Sequence, residues 1–426
     1  MKKPIKYLVV ILLIFLARLV VRRYRPKIVM VTGSVGKTST KDAVAKVLAA
    51  RFFVRKSEKN LNTEFGVPIT IFGADVPDPL FNPFAWIPVF RNALALLLLP
   101  NHYPNMLVLE VGADKPGDME RILRIAMPDA VVVTRLPEIS VHVEAYVSPE
   151  AVQEEEFSPA HALPAAAPLI VPSDDCYALR NSLTTPARVI SYGFKKGSTV
   201  LIDTVGFYES DGVVQGMKAS IEAAGETGQV VVKGSVGRTQ IFPAAAALAV
   251  ATAFSIPLAE ALAALEKYDP PPGRGRIFAG KNGSVIIDDS YNASPAAVEE
   301  ALGTLKSFPH AKRRIAVLGD MLELGRYSVT EHERIGVLAK NSADIVAAVG
   351  IRSRAYSAAP GSAEVILFDS SRTAAASVVD FVRPGDVVLV KGSQSVRTER
   401  IVKALLANPA DASRLARQEK KWLQRS

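Results

Sequence analysis

The ten residues Val31-Thr32-Gly33-Ser34-Val35-Gly36-Lys37-Thr38-Ser39-Thr40 constrain this chain more than any other stretch. They follow a short apolar run, Ile28 to Val31, and lead into Asp42 to Ala50, where apolar residues recur at helical spacing with no breaker. Strand, glycine loop and helix in that order let backbone N–H groups converge on an anion at a helix N-terminus. Lys37 would then reach the β- and γ-phosphates, and the Thr38 hydroxyl would hold Mg²⁺. The general pattern G-x-x-x-x-G-K-[ST] asks for glycine where this chain has Val31, so the match is to a shorter form, T-G-S-x-G-K-T. The stretch implies an ATP site.

A chain of 426 residues that is 49% hydrophobic can bury substantial cores, and its length suggests two or three domains. The single cysteine, Cys176, excludes an internal disulfide and fits a reducing compartment. The formal charge of +9 resembles a nucleic-acid signal until it is located. Residues 1–27 hold eight basic residues and no acid, which leaves +1 for the remainder. Basicity confined to one terminus argues for an anionic membrane surface and against nucleic acid. Within that terminus the run from Tyr7 to Val21 is apolar except for Arg18, and no small-residue cleavage site follows it. Snorkelling of Arg18 and the flanking basic residues would stretch its fifteen residues across a bilayer. The expectation is an uncleaved N-terminal membrane anchor, residues 1–27, with the body on the cytoplasmic face.

Further along, Asn60-Leu61-Asn62-Thr63-Glu64-Phe65-Gly66-Val67-Pro68 reads as a polar loop. Pro79 to Pro100 brings aromatics before an apolar run, read as a helix packed inside its domain. Met106 to Gly112 places Glu110 at the end of a buried strand, where a P-loop protein keeps a magnesium-side carboxylate. A second strand, Asp129 to Thr134, precedes His142, one of five histidines and a metal or phosphate candidate. Pro270-Pro271-Pro272-Gly273-Arg274 is the clearest linker, separating an ATP-binding unit, residues 28–269, from residues 270–426. Beyond it strand and helix signals alternate, which implies a doubly wound, Rossmann-like parallel sheet with ligand groups at the strand C-termini. Two polar runs, Asp288 to Asn292 and Lys391-Gly392-Ser393, lie at such ends.

These motifs together resemble the Mur ligases, the ATP-dependent amide-forming family of cell-wall synthesis. The resemblance rests on T-G-S-V-G-K-T-S-T-K from Thr32, N-L-N-T-E-F-G-V-P from Asn60 and L-E-V-G-A from Leu109. It rests also on I-D-D-S-Y-N-A-S-P from Ile287, V-L-G-D-M-L-E-L-G from Val317 with His332 downstream, and V-K-G-S from Val390. It is strongest to the branch that adds D-alanyl-D-alanine to a muramyl tripeptide. It implies that Gly33, Ser34, Val35, Gly36, Lys37, Thr38 and Ser39 cradle ATP phosphates, and that Arg274 and Asp289 close over the nucleotide. Thr38, Glu110, His142 and Glu156 would serve magnesium, with Lys37, Glu110 and His142 catalytic. Asn62, Asn292, Ser294, Pro295 and Lys391 would face the substrates.

Three departures from the family pattern accompany it. Only 27 residues precede the first strand, where the family carries a UDP-sugar domain. Gly237-Arg238-Thr239-Gln240-Ile241-Phe242-Pro243 stands where the family commonly has histidine and asparagines for adenine. Glu156, in an acidic triplet, aligns with the family's carbamylated lysine. The function expected is ATP-dependent amide formation through an acyl-phosphate, between a cell-wall precursor carboxylate and an amino-acid or dipeptide amine. The alternatives are another lipid-linked or peptide carboxylate, and a non-catalytic nucleotide-binding partner of wall enzymes.

Overall fold

The computed structural model describes residues 3–58, 61–77, 82–419 and 422. Met1, Lys2, Asn60, Pro79 and Phe81 of the stretches named above lie outside the described residues. Nine strands form the first sheet: β1 (Lys27–Thr32), β2 (Val54–Lys56), β3 (Met106–Glu110), β4 (Ala130–Val133), β5 (Pro168–Pro172), β6 (Arg188–Gly193), β7 (Val200–Ser210), β8 (Val213–Ala223) and β9 (Glu226–Lys233). Their order is β2-β3-β1-β4-β5-β6-β7-β8-β9, parallel as far as β7, with β7, β8 and β9 antiparallel. That antiparallel end has no counterpart in the sequence reading. The register pairs Val31 with both Glu110 and Val132, so the carboxylate at the end of β3 stands beside the P-loop at the end of β1.

The second sheet comprises β10 (Arg276–Gly280), β11 (Ser284–Asp289), β12 (Arg313–Gly319), β13 (Ile345–Val349), β14 (Glu364–Phe368) and β15 (Asp386–Lys391). Its order is β10-β11-β15-β12-β13-β14, with only β10 antiparallel. The chain runs outward through β12, β13 and β14 and returns with β15 between β11 and β12. This reversal is where a doubly wound sheet opens a crevice at the strand C-termini. It also sets Asp289 directly opposite Lys391. The expected alternation of strands and helices is therefore present, and the last helix begins at Glu399, three residues after Val396, following a 3₁₀ turn.

The expected membrane anchor is corrected by the fold. No helix among the described residues is long and apolar enough to cross a membrane. The helix α1 (Lys3–Tyr24) instead buries Leu13, Leu16, Ala17 and Val20 in the core of the first domain. An apolar run of fifteen helical residues spans only about 22 Å, short of the roughly 30 Å of a bilayer core. α1 packs on α3 (Gly66–Phe72) and on α4 (Ile87–Leu98), which contributes Val89, Ala93 and Leu96. Basic residues at and beyond the end of α1 also find protein partners: Arg23 donates to Leu97 O at 2.9 Å, and Lys27 pairs with Asp129 at 2.8 Å. The expected membrane-surface partner gains no support from this packing.

Candidate active site: a cleft between the two sheets

The loop after β1 turns through Gly33 (φ 114°) and Gly36 (φ 94°), left-handed conformations that favour glycine. At Gly33 a side chain is also excluded by space, since a Cβ there would stand 2.3 Å from Thr134 Oγ1. The N–H groups of Ser34 and Val35 donate to Arg135 O at 2.9 and 3.2 Å, which fixes the loop against the strand beyond β4. The helix α2 (Lys37–Leu48) starts directly after Gly36 with no side-chain cap. Its first N–H groups and its dipole therefore face the cleft, as anion binding requires.

Glu110 is buried, and its Oε1 accepts the Thr38 hydroxyl at 3.2 Å. Its Oε2 has no hydrogen-bond donor and lies 3.5 Å from the buried ammonium of Lys41. Among the described residues no three His, Cys, Asp or Glu side chains converge on one point. That fits Mg²⁺, which takes one or two carboxylates plus phosphate oxygens and water in preference to a protein cage. A hydroxyl and an incompletely bonded carboxylate at the end of the P-loop are the hard oxygen donors such an ion needs.

His142 sits at a left-handed backbone position (φ 68°) and lines the same cleft. Its Nδ1 is 2.9 Å from Glu323 Oε2 in the second domain, and its Nε2 is 3.5 Å from Asp114 Oδ1. Burial pulls the imidazole pKa down, but the Glu323 hydrogen bond and the charges of Glu323 and Asp114 outweigh it and hold the pKa above the usual value. Glu323 is lowered in turn by its bond to His142. The loop bearing Glu323 is pinned from behind. His332 Nε2 accepts the Met321 N–H at 3.0 Å, and Asp320 accepts the N–H groups of Ile351 and Ser353 at 3.2 and 2.8 Å.

Glu156, expected to serve magnesium with His142, comes to the site from a separate helix. It lies on α6 (Pro149–His161), where helical geometry sends the acidic triplet three ways. Glu154 accepts from Tyr177 Oη at 2.8 Å, and Glu155 accepts the N–H groups of Gly117 and Met119 at the start of α5 (Asp118–Leu123). Glu156 is buried at the P-loop, bonded to the Ser34 hydroxyl and 3.3 Å from Lys37 Nζ.

The second domain supplies the facing wall. Lys391, 2% exposed, donates to Asp289 Oδ2 at 2.6 Å and to Asn292 O at 3.0 Å, tying β15 to the loop after β11. Burial lowers its pKa and the Asp289 charge opposes that. Asn292 Oδ1 accepts the Gln394 N–H at 3.3 Å. Ser294 caps the helix Pro295–Ser307, with Pro295 buried at its first position, which agrees with proline's fixed φ and missing donor. Asn292 and Ser294 line a cleft of about 600 Å³ together with residues 34–38, Asn62, Glu110, His142 and Arg274. Asp289 and Lys391 border instead a smaller cavity of about 70 Å³ beside Gly36, Ser39 and Arg274. A third cavity, about 260 Å³, opens on the far side of Val35 and Gly36 between Tyr192, Phe194 and Phe242, with the Arg238 guanidinium 3.7 Å from the Phe194 ring centre.

Glu323, Arg397 and Trp422 also line the main cleft and were not singled out by the sequence reading. Glu323 stood inside a quoted motif. The other two lie beyond all of them.

Comparison with known proteins agrees with this architecture. The profile of the Mur ligase glutamate ligase domain matches residues 273–394. The UDP-N-acetylmuramoyl-tripeptide--D-alanyl-D-alanine ligase of Bacillus subtilis is 26% identical, over 92% of this chain and 79% of that protein. The enzyme of the same name from Mycobacterium bovis is 29% identical, over 89% of this chain and 73% of that protein. Among solved structures, MurF ligase from Thermotoga maritima in complex with ADP superposes with a TM-score of 0.75 and 26% identity, covering 93% of this chain and 83% of that one.

Proposed function

We propose that this chain, a Mur ligase by its fold and its C-terminal domain, is an ATP-dependent ligase that joins D-alanyl-D-alanine to a UDP-N-acetylmuramoyl tripeptide. The observation that carries the reading is one cleft with two chemically different walls. Lys37, Thr38 and Glu110 stand on one, Asn292 and Ser294 on the other, and the His142–Glu323 pair joins them across the domain boundary.

A carboxylate resists attack by an amine until one of its oxygens is part of a leaving group. The tripeptide carboxylate attacks the γ-phosphorus, the bond to the β-phosphate oxygen breaks, and ADP leaves an acyl-phosphate. The dipeptide nitrogen then attacks the acyl carbon, inorganic phosphate departs, and the nitrogen releases its proton. Lys37 and the backbone N–H groups at the start of α2 offset the charge that gathers on the transferring phosphoryl group. Thr38 and Glu110 would hold Mg²⁺, which when bound neutralises phosphate charge. The aromatic cavity behind Gly36 receives the nucleotide base, with Arg238 and Phe194 as its stacking surface. Arg274 stands where the two domains meet over the nucleotide, and the loops after β11 and β15 deliver the amine.

The test is ADP release by the purified protein with UDP-N-acetylmuramoyl tripeptide and D-alanyl-D-alanine, each also omitted in turn. Release that requires both substrates supports the reading. ATP binding without substrate-dependent release would overturn it in favour of a nucleotide-binding partner of wall enzymes.

A further inference from the structure

Trp422 lines the main cleft beside Arg397. It is held by a ladder of alternating guanidinium groups and rings. Arg274 lies 4.2 Å from the Tyr291 ring centre, and Arg417 lies 5.3 Å from Tyr291 and 5.8 Å from Trp422. Arg397 lies 5.3 Å from the Trp422 ring and donates from Nη1 to Trp422 O at 2.9 Å. Such contacts orient an aromatic plane as well as attract it.

Two further features show that this arrangement is built. Arg417 is buried and donates to Ser290 O at 3.2 Å, to Tyr291 O and to Glu399 Oε2 at 3.0 Å, which anchors the tail under the strand end that carries Asp289. Arg397 and Arg417 also both adopt left-handed backbone conformations, φ 63° and 60°, which non-glycine residues seldom occupy unless their surroundings enforce them. The two guanidinium groups share one carboxylate, Glu399, so this wall carries a positive charge in excess.

We propose that Trp422 and Arg397, held together by Arg417 and Glu399, form a wall of the amine subsite, with Trp422 its apolar face and Arg397 the counter-charge for an amine that itself bears a carboxylate. The inference rests on the ligase reading above. Phosphates belong to the P-loop wall, and the amine nitrogen must reach a face of the planar acyl group that this wall does not cover. The amine therefore enters along the second-domain wall, where Asn292, Arg397 and Trp422 stand. A dipeptide presents its nitrogen to the acyl carbon and leaves its methyl groups and terminal carboxylate behind. A ring plane beside an excess guanidinium charge is complementary to those two features together.

Trp422→Ala should raise the KM for D-alanyl-D-alanine roughly tenfold and narrow the discrimination against bulkier D-alanyl dipeptides, with the KM for ATP within about twofold of the parent. Trp422→Phe should restore most of the affinity. The sequence holds two tryptophans, so a Trp86→Phe background makes Trp422 the sole reporter. Its emission should shift on titration with D-alanyl-D-alanine in the presence of ADP. An unchanged dipeptide KM in Trp422→Ala, in a chain that ligates normally, overturns the wall and leaves the ligase reading standing. An emission that never responds to the dipeptide does the same. Absence of ADP release with any tripeptide and dipeptide pair overturns the ligase reading and the wall with it.

Discussion

On the P-loop wall a handful of consecutive residues, Gly33 to Thr38, supply the backbone donors, the ammonium and the hydroxyl. On the facing wall Asp289 and Asn292 come from one stretch and Lys391, Arg397 and Trp422 from another far along the chain, and they meet only because β15 inserts beside β11. The first wall is local geometry, a loop and a helix start whose Lys37 and Glu110 each keep a charged protein partner at the edge of the open cleft. The second is a set of buried charges turned toward one another, in which the groups that shape the cleft also hold the domain together. Substitutions on the two walls should therefore fail differently.

The largest effect is expected at Lys37. Lys37→Ala should lower substrate-dependent phosphate release by roughly a thousandfold while circular dichroism still reports a folded chain. Near-normal turnover would break the contrast at its strongest point. On the other wall, Asp289→Ala leaves the Lys391 ammonium buried without its carboxylate and should cost about 3 kcal/mol of unfolding stability by urea titration. A variant that loses ligase activity with its stability intact would show that this pair serves ligand alone.

Glu156 tests where the first wall ends. Removing its charge takes from Lys37 a partner 3.3 Å away but leaves an oxygen for the Ser34 hydroxyl. Glu156→Gln should raise the KM for ATP about tenfold with the Mg²⁺ dependence unchanged. A shifted Mg²⁺ requirement would return Glu156 to the metal, as the sequence alignment implied.

The smallest effect concerns Asp288, whose buried carboxyl is pushed up to about 6 by desolvation and whose Oδ2 has no partner. Its folded pKa exceeds the ordinary value of 3.8, so it stabilises the domain at low pH and that contribution is lost as pH rises through about 6. Asp288→Asn keeps an acceptor for the Ser290 N–H and removes the charge. It should gain about 1 kcal/mol at pH 8 and nothing near pH 4. Equal gains at both would remove the carboxyl's titration from the account of this wall.

Legibility from sequence follows the same division. Lys37, Thr38 and Glu110 were readable because strand, glycine loop and helix form one contiguous signal and β3 pairs beside β1. Asp289 and Lys391 were readable as strand ends, but not as partners, since register depends on β15 returning between its neighbours. Arg397 and Trp422 carry no local signal; the turn after β15 brings the first to the cleft, and only tertiary contacts with Arg397 and Arg417 bring the second. α1 misled because fifteen apolar residues with flanking cations describe a membrane helix and a core helix equally well; tertiary packing on α3 and α4 decided between them. Glu156 was singled out from an acidic triplet, and it alone of the three reaches Ser34 and Lys37, because a helix separates adjacent side chains by about 100°.

The linker has a mechanical consequence. Pro270, Pro271 and Pro272 have ring-fixed φ, and Gly273 and Gly275 hold φ of 69° and 67°. Ser235 Oγ donates to Arg274 O at 2.6 Å and Val236 N–H to Gly275 O at 2.8 Å, so the segment is stitched to the first domain on its way across. A segment fixed in this way holds the second sheet at a set angle to the first, where a flexible tether would let it hang loose. The orientation of the facing wall is then set by prolines and glycines that do not themselves line the main cleft.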